Sequence, residues 1–101
     1  MTEITWDEEA LCELRCSTLY LGKRGGADLA RRFNSKVEAA IVSARAIPLL
    51  HRKHHHGARR VLVERFPYYV VYWHDEERDG IHIVAIAHKS RDPDYWRDRM
   101  P

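Results

Sequence analysis

Between Arg59 and His88 the chain reads RRVLVERFPYYVVYWHDEERDGIHIVAIAH, and this stretch restricts the fold more than any other. Val61 and Val63 alternate with polar neighbours. PYYVVYWH is rich in β-branched and aromatic residues, and IHIVAIAH alternates again. Between the last two runs lies DEERDG, a polar segment ending in Gly80. Side chains on a strand point to opposite faces in turn, and short Gly-containing turns join neighbouring strands. Three strands joined this way form an antiparallel meander. Strict alternation in the last strand puts Ile81, Ile83, Ala85 and Ala87 on one face. His82, Val84, Ile86 and His88 take the other.

The first half has a different period. Residues 2–5 read as a short first strand. Thr5 and Glu8 then fit a capping box, and the acids at 7, 8 and 9 suit the positive end of a helix. Leu11, Leu14, Thr18 and Leu21 recur at helical spacing, which predicts a helix over about 6–22. GKRGG interrupts it. Ala30, Phe33, Val37, Ala40, Ile41 and Ala44 make one stripe of a second helix over about 27–46, which Pro48 ends. The predicted fold is α+β: one domain over residues 1–101, an N-terminal antiparallel helical hairpin packed on a small antiparallel β-sheet, and a short C-terminal helical segment. Asp92-Pro93 turns the chain out of the sheet. Tyr95 and Trp96 fold back onto it, while Arg91, Arg97 and Arg99 stay in water.

A net charge of +2 conceals a strong asymmetry. Residues 1–14 carry five acids and no Lys or Arg; residues 15–65 carry 12 basic and three acidic residues; the remainder has five basic and seven acidic. The middle block makes a positive field suited to an acidic protein or a polyanion. No run approaches the roughly 20 apolar residues of a membrane span, and the acidic start is unlike a secretory signal. Cys12 and Cys16 are too few for a disulfide framework, so two reduced thiols in a cytoplasmic protein are expected. His51 and His54-His55-His56 lie on one loop, where adjacent side chains diverge instead of converging as zinc ligands do, so no metal and no cofactor are expected. No nucleophile motif or phosphate-binding glycine loop is present. His88, Lys89, Arg91 and Tyr95 supply the residue types of a metal-independent ribonuclease: proton carriers, and cations for the scissile phosphate. Arg59, Arg60 and Arg65 flank the first strand of the meander, with side chains suited to phosphate or carboxylate.

Taken together, Arg59-Arg60, the Arg65-Phe66-Pro67-Tyr68 run, Ala87-His88 and Arg91-Asp92-Pro93-Asp94-Tyr95-Trp96 resemble the RelE/ParE superfamily of bacterial toxins from type II toxin–antitoxin modules. The resemblance is strongest over residues 59–97 and covers the helical half mainly by pattern. It implies a small cytoplasmic toxin of a plasmid-stabilisation module, inhibiting growth and held inactive in a hetero-oligomer by a small acidic antitoxin. RelE-like members cleave mRNA on the ribosome, and ParE-like members inhibit DNA gyrase. Alignment to the nuclease pattern sets Ser90 and Trp96 at its terminal Arg and Tyr positions, and a one-residue shift restores Arg91 and Tyr95. The FPY and RDPDYW pieces are more similar to the ParE-like branch. The resemblance therefore implies a gyrase inhibitor, with Arg59, Arg60, Arg65, Arg91, Tyr95, Trp96 and Arg97 as target or antitoxin contacts. The alternatives are a ribosome-dependent nuclease acting through His88, Lys89, Arg91 and Tyr95, and a non-toxic module that pairs with the antitoxin alone.

Overall fold

The computed structural model describes residues 3–101. Its elements in chain order are β1 (Glu3–Trp6), α1 (Glu8–Ala46), β2 (Arg59–Leu62), β3 (Tyr68–Asp75) and β4 (Gly80–His88), with 3₁₀ turns at His55–Gly57 and Arg97–Arg99. The four strands form one sheet in the order β1-β4-β3-β2. β2, β3 and β4 are the expected antiparallel meander. The expected first strand over 2–5 corresponds to β1; Thr2 lies outside the described residues.

Several sequence expectations need correction. First, the sheet is mixed and not antiparallel, because β1 pairs in parallel with β4, from Glu3 opposite Gly80 to Trp6 opposite Ile83. Parallel pairing needs a long crossover, here supplied by α1 and the meander. Gly80 permits the approach: a Cβ there would lie 2.7 Å from the Glu3 carbonyl oxygen. Second, the helix cap is Asp7, whose carboxylate accepts from the Glu9 amide at 2.8 Å. Thr5 belongs to β1, and its hydroxyl lies 2.8 Å from His82 Nδ1 across the sheet. Third, the alternation of β4 does not run through. Tyr72 pairs with Ile83 and Val71 with Ala85, so Val84 is an extra, bulged residue. Beyond it the faces exchange. Ile81, Ile83 and Ile86 join the helix-side core, and Val84, Ala85 and Ala87 join the other.

In place of two helices, one helical element spans Glu8–Ala46, and its backbone leaves helical values at Gly26 (φ 83°, ψ −178°). Within GKRGG, that is the residue at which a left-handed φ falls on a glycine, which carries no Cβ to clash. A straight helix of this length would measure about 58 Å, whereas the longest axis of the molecule is 41 Å. Asn34 Nδ2 donates to Thr18 Oγ1 at 2.9 Å. In a straight helix those residues would stand about 24 Å apart, so the chain doubles back at the kink. Phe33, Val37, Ala40, Ile41 and Ala44 are buried against Val70, Tyr72, Ile81, Ile83 and Ile86. Tyr72 crosses this layer and donates its hydroxyl to the Pro48 carbonyl at 2.5 Å, tying the end of α1 to the central strand.

Candidate functional site

The opposite face of the sheet carries a second, smaller cluster of Ala58, Val71, Val84, Ala85, Ala87 and Trp96. Small side chains dominate the strands here, leaving room for one indole. Trp96 fills it and is 1% exposed. The histidine loop closes over this indole. His54 Nε2 donates to the Pro93 carbonyl at 3.0 Å, and His56 Nε2 lies 3.2 Å from Asp94 Oδ2. Both rings stand about 6 Å from the Trp96 ring, at 5.8 and 6.2 Å between centroids. These imidazoles are therefore spent on holding the C-terminal segment. His51 sits apart, 2.9 Å from Ser43 Oγ. The Asp94 carboxyl is held below its ordinary value, first by the hydrogen bond from His56 and then by its bond with Asp92.

At the edge of the same face lies a network that the sequence did not reveal. β1 ends at residue 6, so β4 beyond Ile83 lacks a neighbouring strand on that side. Glu13 and Arg99 take the strand's place. Ile86 donates its amide to Glu13 Oε1 at 3.1 Å, and Arg99 Nη1 donates to the Val84 carbonyl at 3.2 Å. Glu13 and Arg99 are bonded to each other at 2.9 and 3.1 Å, and Glu9 lies 2.9 Å from Arg99 Nε. Their side chains are 15% and 13% exposed. Arg99 is thus largely buried, against the expectation that it stays in water. The bulge at Val84 turns these two backbone groups outward, and the ion pair satisfies both.

Tyr95 and Arg91 join this network. Tyr95 donates its hydroxyl to Glu13 Oε2 at 2.7 Å. Arg91 lies over the Tyr95 ring, 3.7 Å from its centroid, and 3.5 Å from Glu13 Oε2. Burial, followed by the hydrogen bond and charge of Glu13, pushes the Tyr95 phenol well above the ordinary phenol range. His88 and Lys89 point elsewhere. His88 Nδ1 accepts from the Ser90 amide and lies 2.8 Å from Ser90 Oγ, with its ring edge-on to Tyr68. Lys89 Nζ stands 5.8 Å above the Tyr69 ring, and the Arg60 guanidinium lies 4.1 Å from the same centroid.

The structure therefore divides the sequence-predicted residues. Arg91 and Tyr95 meet on Glu13; Lys89 meets Arg60 on Tyr69; Trp96 is core. Arg59 donates to the His51 carbonyl at 3.0 Å. Arg65 is exposed at the β2–β3 turn with φ 70°, 3.6 Å from Glu64. The Lys89 amide bonds to the Pro67 carbonyl, so that turn sits beside the end of β4. Arg97 is exposed and lies 3.9 Å from Asp94. Beside Arg60, a basin of about 450 Å³ is lined by Arg52, Lys53, His54, His55, Arg60 and Pro93, with no carboxylate. Among the described residues, Arg52, Lys53, Arg60 and Lys89 make no ion pair. Partial burial holds the His54 imidazole below its ordinary value, and the Arg60 and His55 charges add to that. This corner gathers positive charge that is unpaired among the described residues.

The family model of the ParE toxin of type II toxin–antitoxin systems, parDE, matches residues 4–93. The chain belongs to the ParE toxin family. No curated protein matches it. Among solved structures, it is similar to the chromosomal ParDE toxin–antitoxin system from P. aeruginosa, with a TM-score of 0.74 at 15% identity, covering 87% of this chain and 96% of that one. The intact E. coli RelBE toxin–antitoxin complex follows, with a TM-score of 0.61 at 16% identity and coverage of 90% and 100%. The isolated E. coli RelE toxin gives 0.59 at 16% identity, covering 97% and 95%. The shared fold is thus that of the RelE/ParE superfamily, with a mixed sheet carrying a helical layer on one face. Among the described residues, no helix of this ParE-family chain is long and apolar enough to cross a membrane.

Proposed function

We propose that this ParE-family chain is the toxin of a plasmid-stabilisation module in the cytoplasm, is neutralised by an acidic antitoxin, and inhibits DNA gyrase by protein–protein contact. The observation that carries this reading over a nuclease is the state of Tyr95 and Arg91. Both are committed to Glu13, and the phenol is pushed away from neutral titration. A nuclease needs a proton carrier and a free cation converging on one phosphate. His88 and Lys89 lie on other contacts, with His88 Nδ1 already accepting from Ser90. The four residues form no shared cradle.

The antitoxin fits the basic corner. Arg52, Lys53, Arg60 and Lys89 present cations without counter-ions of their own among the described residues, and stacking on Tyr69 fixes the Arg60 fork in position. An acidic segment that folds on binding would neutralise them, and charge complementarity would speed its capture. Arg59, Arg65, Arg91 and Arg97 are assigned to the rim of the contact surface.

The deciding experiment supplies purified chain to gyrase and plasmid, and in parallel to translating ribosomes. The expected outcome is altered plasmid topology with intact message. Discrete cleavage of ribosome-bound mRNA by primer extension, removed by Arg91→Ala or His88→Ala, would replace this reading with the ribonuclease.

A further inference from the structure

We propose that the outward face of the first half of α1 is a self-association surface, on which a second copy of this chain docks antiparallel with Cys16 near the two-fold axis. This inference is independent of the gyrase reading. Its starting point is a stripe that is unusual for a solvent face. Cys12 and Cys16 are free and exposed. Leu19 is 65% exposed and Tyr20 is 53% exposed. Glu9 and Lys23 close the stripe at either end, both exposed. Residues 9, 12, 16, 19 and 23 recur at alternating spacings of three and four, the spacing of a helix–helix seam. The inward face of the same segment is already spoken for: Ala10 is buried, Leu14 and Leu21 pack on the core, and Thr18 holds Asn34.

Charge identifies the occupant. The N-terminal end of the stripe is acidic, with Glu8 and Glu9, and its C-terminal end is basic, with Lys23 and Arg24. Two copies laid parallel would set acid on acid. Two laid antiparallel set the Glu9 of each against the Lys23 of the other, and position 16 is the midpoint of 9 and 23. The stripe is thus complementary to itself, which is what a closed two-fold contact requires. Glu9 lies 2.9 Å from Arg99 but keeps a side chain that is 72% exposed. Arg24 lies over the Tyr20 ring, 5.3 Å from its centroid, and Lys23 makes no ion pair among the described residues. One helix face per copy is smaller than the roughly 1,200 Å² of a standard interface. The dimer is therefore a weak one that forms at high protein concentration.

Sedimentation velocity of the full chain over a concentration series should show a reversible monomer–dimer equilibrium. Reversing two symmetry-related contacts with Lys23→Glu should weaken it about tenfold. The double variant Glu9→Lys with Lys23→Glu should restore it. Diamide, a thiol oxidant, takes two hydrogens from two thiols to leave one disulfide and becomes the hydrazine. At equal time it should cross-link Cys12→Ser into covalent dimers and leave Cys16→Ser uncross-linked. A chain that stays monomeric at every concentration, equal cross-linking through either cysteine, or a double variant no better than the single would each overturn the proposal. A monomeric chain whose antitoxin affinity responds to Lys23→Glu would overturn it too, and would give the stripe to the antitoxin instead.

Discussion

The two faces of the sheet are sealed by different means. The helix side is closed by many apolar residues: Phe33, Val37, Ile41, Val70, Ile81, Ile83 and Ile86 share the burial. The other side is closed by one fully buried indole with partly buried Tyr69, Trp73, Tyr95 and Met100 around it, by a hinge of histidine contacts and by one largely shielded ion pair. A distributed core loses little when one methyl is removed. A closure built on single residues fails at once.

The sharpest test of this contrast is Trp96→Ala, expected to cost about 3–5 kcal/mol in denaturant unfolding, as loss of a large buried aromatic does. Phe33→Ala, the comparable truncation on the helix side, should cost less, about 3 kcal/mol, because its neighbours share the burial. A cost equal to that of Trp96→Ala would overturn the contrast. Next comes Glu13→Ala, which leaves Arg99 facing a sheet edge and strands the Ile86 amide. Removing one partner of a buried pair typically costs roughly 3–5 kcal/mol. Glu9 remains on Arg99 and both sites keep some solvent, so about 2–3 kcal/mol is expected here.

How much of this was legible follows from the same contrast. The helix side was readable because its residues repeat. Phe33, Val37, Ala40, Ile41 and Ala44 lie at helical spacing, and all five are buried. The meander was readable because its turns are local. The Glu13–Arg99 pair was not, since its partners are 86 residues apart and each, read alone, is a charge on a solvated segment. The bulge at Val84 left no mark in an alternation of apolar residues, and the exchange of faces follows from it. Thr5 and Asp7 are both good helix caps. The sequence offered no means of knowing that His82 would claim the first.

Smaller effects sharpen the comparison from the helix side. Burial raises the Tyr72 phenol from the usual 10 to about 12. The folded state therefore favours the neutral form. This contribution is complete below pH 10 and is lost as the pH rises from there through about 12. Unfolding midpoints at alkaline pH should fall further in the parent than in Tyr72→Phe. An equal fall in both would show that burial of the Tyr72 phenol carries no such linkage. The least effect is expected from Lys36→Ala, which removes an exposed pair with Glu64 and should shift stability by less than about 1 kcal/mol.

The parallel pairing of β1 with β4 has a kinetic consequence. Thr5 and His82 are 77 residues apart along the chain. Every contact of the meander closes a far shorter loop. Loop closure must precede the energy that rewards it, so distant pairings tend to form after local ones. The meander is then the natural nucleus of folding, and β1 docks on an assembled hairpin. Contacts absent from the transition state set the unfolding rate and leave the folding rate nearly unchanged. Weakening the β1–β4 pairing at Gly80 or Thr5 should shorten the lifetime of the folded toxin without slowing its appearance. The durability of this fold is governed at the edge where its most distant strands meet.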